Sequence, residues 1–207
     1  MDNIKESQKT EKAILRAAEK EFLEKGLSMS RMTEIAHLAG VNHALLHYYY
    51  RSKEKLFTTV FEKKMEELIF SLLSVISQDL PFMDKVKAGI EAHFDCIAKN
   101  PQLPFFIVNE FLTNSERVKT VQPVLKPIIT KIYSAFETDI QKAVSEGKIR
   151  PITPANLIYD IVSLNICSFI VLPLANQVLD LSKEEYQNFI NQRKAENVET
   201  IMSRIRV

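Results

Sequence analysis

The sequence predicts an all-α protein, with a small three-helix helix-turn-helix unit at the N-terminus joined by an unbroken helix to a larger helical domain. Three observations predict it. The 207 residues include only four Gly and no Trp, while Ala, Leu, Ile, Lys and Glu recur throughout, a composition that favours helices. Apolar residues return every three to four positions in segment after segment, the period of a helix with one buried face. Gly and Pro fall mostly between those segments, where helices end. The length suits one large or two small domains and can bury a sizeable core.

Charge says little in total and slightly more in its distribution. The formal net charge is +1. Through Lys55 there are 10 Lys/Arg against 8 Asp/Glu, and three of the four His, while the remainder holds 17 against 18. That is a weak electrostatic footprint for a nucleic-acid binder, so any such function has to rest on a motif. Cys96 and Cys167 sit in apolar runs and read as reduced core residues of a cytoplasmic protein, not a disulfide framework. The start, MDNIKESQKTEK, lacks the apolar core of a signal peptide. Ile161 to Leu179 carries no charge and approaches the length of a membrane span. Asp160 and Asp180 bound it, Asn165, Pro173, Asn176 and Gln177 interrupt it, and no Lys/Arg cluster anchors it. It reads as a helix buried in a protein interface, with no membrane partner.

The first helix is expected from about Gln8 to Lys25, with Ile14, Ala17, Ala18 and Phe22 on one face and Gly26 as its end. Lys9, Lys12, Arg16 and Lys20 lie mostly on other faces; they are a solvated surface or, at Lys9 and Lys12, a source of non-specific phosphate affinity. Ser30 to Ala39 reads as a second helix through Met32, Ile35, Ala36 and Ala39. Gly40 suits its end because positive φ costs Gly nothing. Val41 resumes the apolar pattern, and Asn42 can cap a third helix, to about Tyr48, by accepting a backbone N–H. Two short helices about a Gly-containing turn follow the helix-turn-helix plan.

Ser52 caps a fourth helix, Lys53 to about Ser77, on the series Leu56, Val60, Phe61, Met65, Leu68, Ile69, Leu72 and Leu73. No linker divides it, and a rigid helix can carry a displacement that a flexible tether cannot. The domains are placed at 8–56 and 57–207. Pro81 precedes a fifth helix, Phe82 to Lys99, with Val86, Ile90, Phe94 and Ile97 inward. Pro101 and Pro104 bracket PFFIVNEFL, read as one or two broken helical turns. A long helix from about Val124 to Glu146 carries Leu125, Ile128, Ile132, Phe136 and Ile140 and stops at Gly147. Thr153 as cap and Pro154 at the first helical position open the next helix. That helix is apolar nearly all round, including Leu157, Ile161, Leu164, Phe169 and Ile170, and has to be covered on every side. The last begins at the capping box Ser182-Lys183-Glu184-Glu185 and carries Tyr186, Phe189, Ile190, Val198, Ile201, Met202 and Ile205.

The run Gly26, Ser30, Thr33-Glu34-Ile35-Ala36, Ala39-Gly40-Val41-Asn42, Leu46, Tyr49-Tyr50, Ser52-Lys53-Glu54 and Leu56 resembles the DNA-binding domain of the TetR (tetracycline-repressor-type) transcription regulators. The likeness covers roughly residues 10 to 57; beyond Leu56 it is one of helical layout. Carried over by position, that family's DNA contacts fall on Ser30, Thr33, Asn42, His43, Ala44, Leu45, His47, Tyr49 and Lys53. Ser30 and Asn42 are short polar caps at helix N-termini, where free N–H groups can receive a phosphate oxygen. Thr33 and His43 can reach base edges, and His47 and Tyr49 phosphate oxygens. Lys53 can neutralise a phosphate.

Two positions depart from the family pattern. Leu45 stands where a small polar residue is common; it either packs on a thymine methyl or joins Leu46 in the core. His47 stands where Tyr is usual, and imidazole titrates near neutrality, so a backbone contact there is pH-sensitive. His43 and His47 also have the spacing of a two-His metal site. No acidic or Cys partner lies in the same helix, so DNA contact is the reading taken, with no metal and no cofactor.

The resemblance further implies a homodimer in which the last two helices pair with their copies as a four-helix bundle, through Ile161, Leu164, Phe169, Ile170, Phe189 and Ile201. Two recognition helices related by a two-fold axis read a palindromic operator, entering major grooves about 34 Å apart. A pocket for a small-molecule, largely apolar effector is implied too, with Phe70, His93, Phe94, Phe106, Asn109, Tyr133, Phe136 and Asn165 as candidate lining. Apolar walls with a few polar groups describe a pocket and an ordinary core equally. His93 and Cys96, three apart, lack the second pair a metal site needs. The sequence holds no Gly-rich phosphate loop, G-x-S-x-G, H-E-x-x-H or C-x-x-C, so no enzyme is expected. The reading is a ligand-released repressor of double-stranded DNA, with activation open because it depends on operator position. The alternative is a helical small-molecule carrier or sensor that no longer reads DNA, supported by Leu45 and the weak basic bias.

Overall fold

The structure is a computed structural model that describes the backbone of residues 2–76 and 78–207 and the side chains of 5–71, 73–75, 78–123 and 125–207. Ser77 and the side chains of Leu72 and Val124, named above, lie outside the described residues. Among the described residues the chain forms nine helices: α1 Asp2–Met29, α2 Met32–Ala39, α3 His43–Tyr49, α4 Lys53–Ile76, α5 Phe82–Lys99, α6 Leu103–Thr113, α7 Ser115–Ser145, α8 Pro154–Leu179 and α9 Lys183–Ile205. They divide into two units, Met1–Met65 and Glu66–Val207, with α4 contributing to both. The division falls later than the 56/57 boundary expected from sequence. The reason is packing: Leu56, Phe57, Val60 and Phe61, in the first turns of α4, are buried and complete the core of the first unit.

In the first unit α1 packs against α2. The core collects Ile14, Ala18 and Phe22 from α1, Ile35 from α2, Leu46 from α3 and Phe57 and Phe61 from α4. Phe22 meets Phe57 edge-on with ring centroids 5.0 Å apart, and Phe57 stacks on Phe61 at 6.0 Å. An ion pair of 2.6 Å between Lys64 and Glu19 ties α4 to α1. The chain is helical well before Gln8, because 2–7 is helix-compatible but too polar to show a stripe. Gly26, with φ 69° and ψ 176°, interrupts α1 where a stop was expected.

The second unit is built on α5, α8 and α9, which pack on one another, with α6 and α7 also against α8. Val86, Ile90, Phe94 and Ile97 of α5 face inward as their spacing predicts, and Phe94 lies 4.9 Å from Phe169 of α8. Two elements differ from expectation. PFFIVNEFL belongs to a regular helix, α6, because Pro104 sits at its N-terminus, where the missing N–H has no helical partner to lose. And α7 starts at Ser115 and runs through Pro123 and Pro127. Both prolines are exposed, so the carbonyls they leave without an N–H partner can be hydrated. Asn114 caps α7 by accepting from the Arg117 N–H, and the Arg117 guanidinium donates to the Glu110 carboxylate at 3.0 Å within the unit.

The caps of α8 and α9 form as read. Thr153 accepts from Asn156, and Ser182 and Glu185 exchange both bonds of the capping box. By length and composition α8 is apolar enough to cross a membrane, yet Leu157, Ile161, Asn165, Phe169 and Leu172 are buried in the core of the second unit. The cysteines depart from the expectation of two core residues: Cys96 is half-buried and Cys167 exposed.

Candidate functional site

The helix-turn-helix is built by local signals. Gly40 closes α2 in the left-handed region, φ 67° and ψ 28°, and its N–H returns to the Ala36 and His37 carbonyls; an L side chain there would be strained. Asn42 then caps α3, its Oδ1 accepting from the Leu45 N–H at 2.7 Å. With only seven residues, α3 cannot hold its shape alone. Leu46 anchors it in the core, and the buried Tyr50 just beyond donates its hydroxyl to Glu11 at 3.1 Å. Burial and the adjacent Glu11 carboxylate push the Tyr50 hydroxyl far above its usual range, so it stays a neutral donor.

With Leu46 turned inward, α3 exposes His43, Ala44, Leu45, His47 and Tyr48. Leu45 is 37% exposed, so of the two readings open from sequence the structure favours the outward one over the core. The His43 and His47 rings stand 4.5 Å apart, edge to face. Thr33 is exposed on α2.

Three of the predicted contacts already have partners within the unit. Ser30 is 2% exposed and is not the cap of α2, a place taken by Arg31. Its hydroxyl bonds the Gly26 and Glu21 carbonyls, at 2.6 and 3.2 Å, across the break in α1. The Tyr49 hydroxyl donates to the Ser7 carbonyl at 3.2 Å and lies 2.9 Å from the Ser7 hydroxyl, pinning α1 to the end of α3. The Lys53 ammonium donates to the Ser28 and Ser30 carbonyls at 3.3 and 3.0 Å, using two of its three N–H groups. Sequence reasoning missed Tyr48, which is 80% exposed. Its signal was available: it lies three and four residues after Leu45 and Ala44, hence on their face.

Residues 14–60 match the model of bacterial regulatory proteins of the tetR family. A relative in Brucella suis biovar 1, the HTH-type transcriptional repressor BepR, is 40% identical over 150 residues, 70% of each chain. The chain belongs to the TetR family. Another relative, the uncharacterised HTH-type regulator YhgD of Bacillus subtilis, is 28% identical over 144 residues, 69% of this chain and 73% of that one. Among solved structures, a proposed fatty acid metabolism regulator from Clostridium perfringens superposes with a TM-score of 0.71 at 21% identity, covering 94% of this chain and 99% of its own. A TetR-like regulator from Rhodococcus sp. RHA1 gives 0.57 at 13%, covering 91% and 95%. These structures show that the TetR fold extends through the second unit.

In this TetR-family chain the expected interface residues separate by face. Ile161, Phe169 and Ile201 are buried within their own chain, so they are core and not available to a second subunit. Leu164 and Ile170 are half-buried and Phe189 is exposed. The outward stripe of α8 is instead Tyr159, Cys167, Val171, Leu174 and Val178, at spacings of three, four and eight, one helical face. Beside it, Leu164, Cys167, Ser168, Val171, Leu172, Ala175, Phe189 and Arg193 line a hollow of about 270 Å³.

The eight expected pocket residues are not one wall. Phe70 and Asn109 are exposed and Tyr133 is half-buried, while Phe94, Phe106 and Phe136 are core. His93 and Asn165 belong to a buried polar chain. The Asn165 amide donates to the Ile90 carbonyl at 2.9 Å and lies 3.1 Å from His93 Nδ1; the Asn197 amide donates to Asn165 Oδ1 and the Ser168 hydroxyl, and Arg193 donates to Asn197 Oδ1. Because the Ile90 bond orients the Asn165 amide, Nδ1 of His93 is an acceptor and the ring proton sits on Nε2. Burial lowers His93 to about 4, and it is neutral at physiological pH.

Proposed function

We propose that this TetR-family transcriptional regulator is a homodimeric repressor that reads a palindromic operator with the outward face of α3 and is released by a small, largely apolar effector. The observation that carries the reading is that α3 turns Leu46 inward and presents His43, Ala44, Leu45, His47 and Tyr48 to solvent. His43 suits a base edge, Ala44 and Leu45 a thymine methyl, and His47 and Tyr48 phosphate oxygens. Asn42, Thr33 and the third N–H of Lys53 complete the contact set. Ser30 and Tyr49 act through these groups, by bracing α1 against them.

The exposed apolar stripe of α8 supports a second copy as its cover, since monomers rarely leave such a contiguous face to water. The effector is taken to be apolar, matching the general chemistry of ligand pockets, apolar walls with a few polar groups. Its action is mass action between two dimer shapes: a ligand releases DNA only by binding the non-binding shape better. The chain is taken to work in the cytoplasm, without catalysis.

Retention on random-sequence duplex DNA tests the reading. At low salt the wild type binds, and its affinity falls steeply as salt rises. His47→Ala and Tyr48→Ala bind more weakly, whereas Glu196→Ala, an exposed change in α9, binds as the wild type does. Equal binding by all four proteins contradicts a DNA-facing α3.

A further inference from the structure

We propose that His43 and His47 form a two-nitrogen site for a borderline divalent transition ion, of the Zn²⁺, Ni²⁺ or Cu²⁺ class, and that such an ion and DNA compete for α3. The second half rests on α3 being the DNA-reading element; the first does not.

The spacing of the two rings allows a chelate. Residues four apart on a helix stack on one face, and here the two rings approach to 4.5 Å between centroids at an angle of 66°. Each ring nitrogen lies off its centroid, so small χ rotations bring one nitrogen from each ring to about 3.3 Å. That is the span of two ligands at about 2.0–2.1 Å across a tetrahedral angle. Both side chains are exposed, so ion and rings meet without opening the fold. The backbone under them is fixed by the Asn42 cap and the buried Leu46, which lowers the entropy lost when the rings are ordered.

The donor set selects the ion. Neutral imidazoles suit Zn²⁺, Ni²⁺ and Cu²⁺, while Mg²⁺ and Ca²⁺ require oxygen ligands. Among the described residues no group of three or more His, Cys, Asp and Glu gathers to hold a metal. The ion therefore keeps water in its other positions and exchanges with solvent, as a responsive site needs and a structural one does not. Chelation turns both rings onto the ion and sets the ion and its waters over the face that meets DNA, so the remaining N–H of each ring is aimed by the metal and not by a base or phosphate. Ion and DNA draw on the same two rings, and by linkage each weakens the other by the same factor.

The test is a calorimetric titration of the untagged full-length protein with Zn²⁺, followed by duplex binding in Zn²⁺, in Mg²⁺ at equal ionic strength, and in EDTA. The expected result is one Zn²⁺ per chain, lost in His43→Gln and in His47→Gln but kept in His37→Gln, an exposed histidine of α2. Zn²⁺, unlike Mg²⁺, weakens duplex binding about tenfold or more, equivalent to about 1.4 kcal/mol, and EDTA restores it. Absence of Zn²⁺ binding, or binding unchanged in both variants, overturns the site. Zn²⁺ held by the pair with duplex affinity unaltered overturns the competition. A wild type that ignores DNA in EDTA removes the competition as well, and the titration alone then decides the site. All variants lie on exposed positions of folded helices, and far-UV circular dichroism verifies their folding.

Discussion

At the scale of single residues, what was legible depended on how far away each side chain finds its partner. Gly40 and Asn42 act on atoms within four positions, so their types and spacing suffice to read them. Ser30, Tyr49 and Lys53 reach partners up to 9, 42 and 25 positions away, and nothing local shows that their polar groups are already engaged. Ser30→Ala strands the carbonyls it serves; about 1–3 kcal/mol of unfolding free energy should be lost in urea titration. The slope of DNA affinity against salt should hold, because the Ser30 hydroxyl is buried and turned to carbonyls inside the unit. Asn42→Ala removes a cap and should cost about 1 kcal/mol. Its DNA binding should fall as well, since the same residue positions the first turn of α3.

At the scale of elements, periodicity found the helices and misjudged what proline does to them. Pro104, expected to break the chain, occupies the first turn of α6, and Pro123, just before the expected start of the seventh helix, lies inside α7 as Pro127 does; both are exposed, so the carbonyls they abandon can be hydrated. For α8 the all-round apolarity implies cover on every side, whereas the structure leaves one side open to solvent; a helix with no polar face gives no way to tell its core side from its outward side. Only tertiary contact shows Ile161 and Phe169 inward and Val171, Leu174 and Val178 outward. The same holds for Asn165, whose partners come from α5 and α9.

That polar chain makes a pH prediction. Burial, the dominant cause, keeps His93 neutral to about pH 4 in the folded protein, and protonating Nδ1 would also set it against the Asn165 amide. In the unfolded chain a histidine takes its proton near pH 6.5. Between those values the unfolded state binds one proton more, so stability rises with pH across the window. It is fully present above about 6.5 and lost as pH falls toward 4, by roughly 3 kcal/mol. Urea unfolding at stepped pH should show this loss, and His93→Gln should flatten it. An unchanged profile in the variant would place the acid sensitivity elsewhere.

At the scale of the molecule, the family likeness, the all-α fold and the exposed face of α3 agree on a regulator, and the two-fold symmetry proposed for it gives the sharpest consequence. In the dimer proposed above every base contact is repeated, so altering one residue of α3 would alter two symmetric positions of a palindrome. The first 60 residues were the most legible part of the chain because DNA recognition constrains residue type and spacing together. An effector pocket constrains little beyond apolarity, which a core shares. The most direct test of the account is selection of bound sites from random duplex DNA, at two salt concentrations, by wild type and Leu45→Thr, with melting measured alongside. The account predicts an enriched palindrome with half-sites about one helical turn apart, a changed preference at one position in each half for Leu45→Thr, and stability within about 0.5 kcal/mol. Salt-sensitive binding with no enriched sequence, or an unchanged sequence accompanied by a large drop in melting temperature, would contradict it.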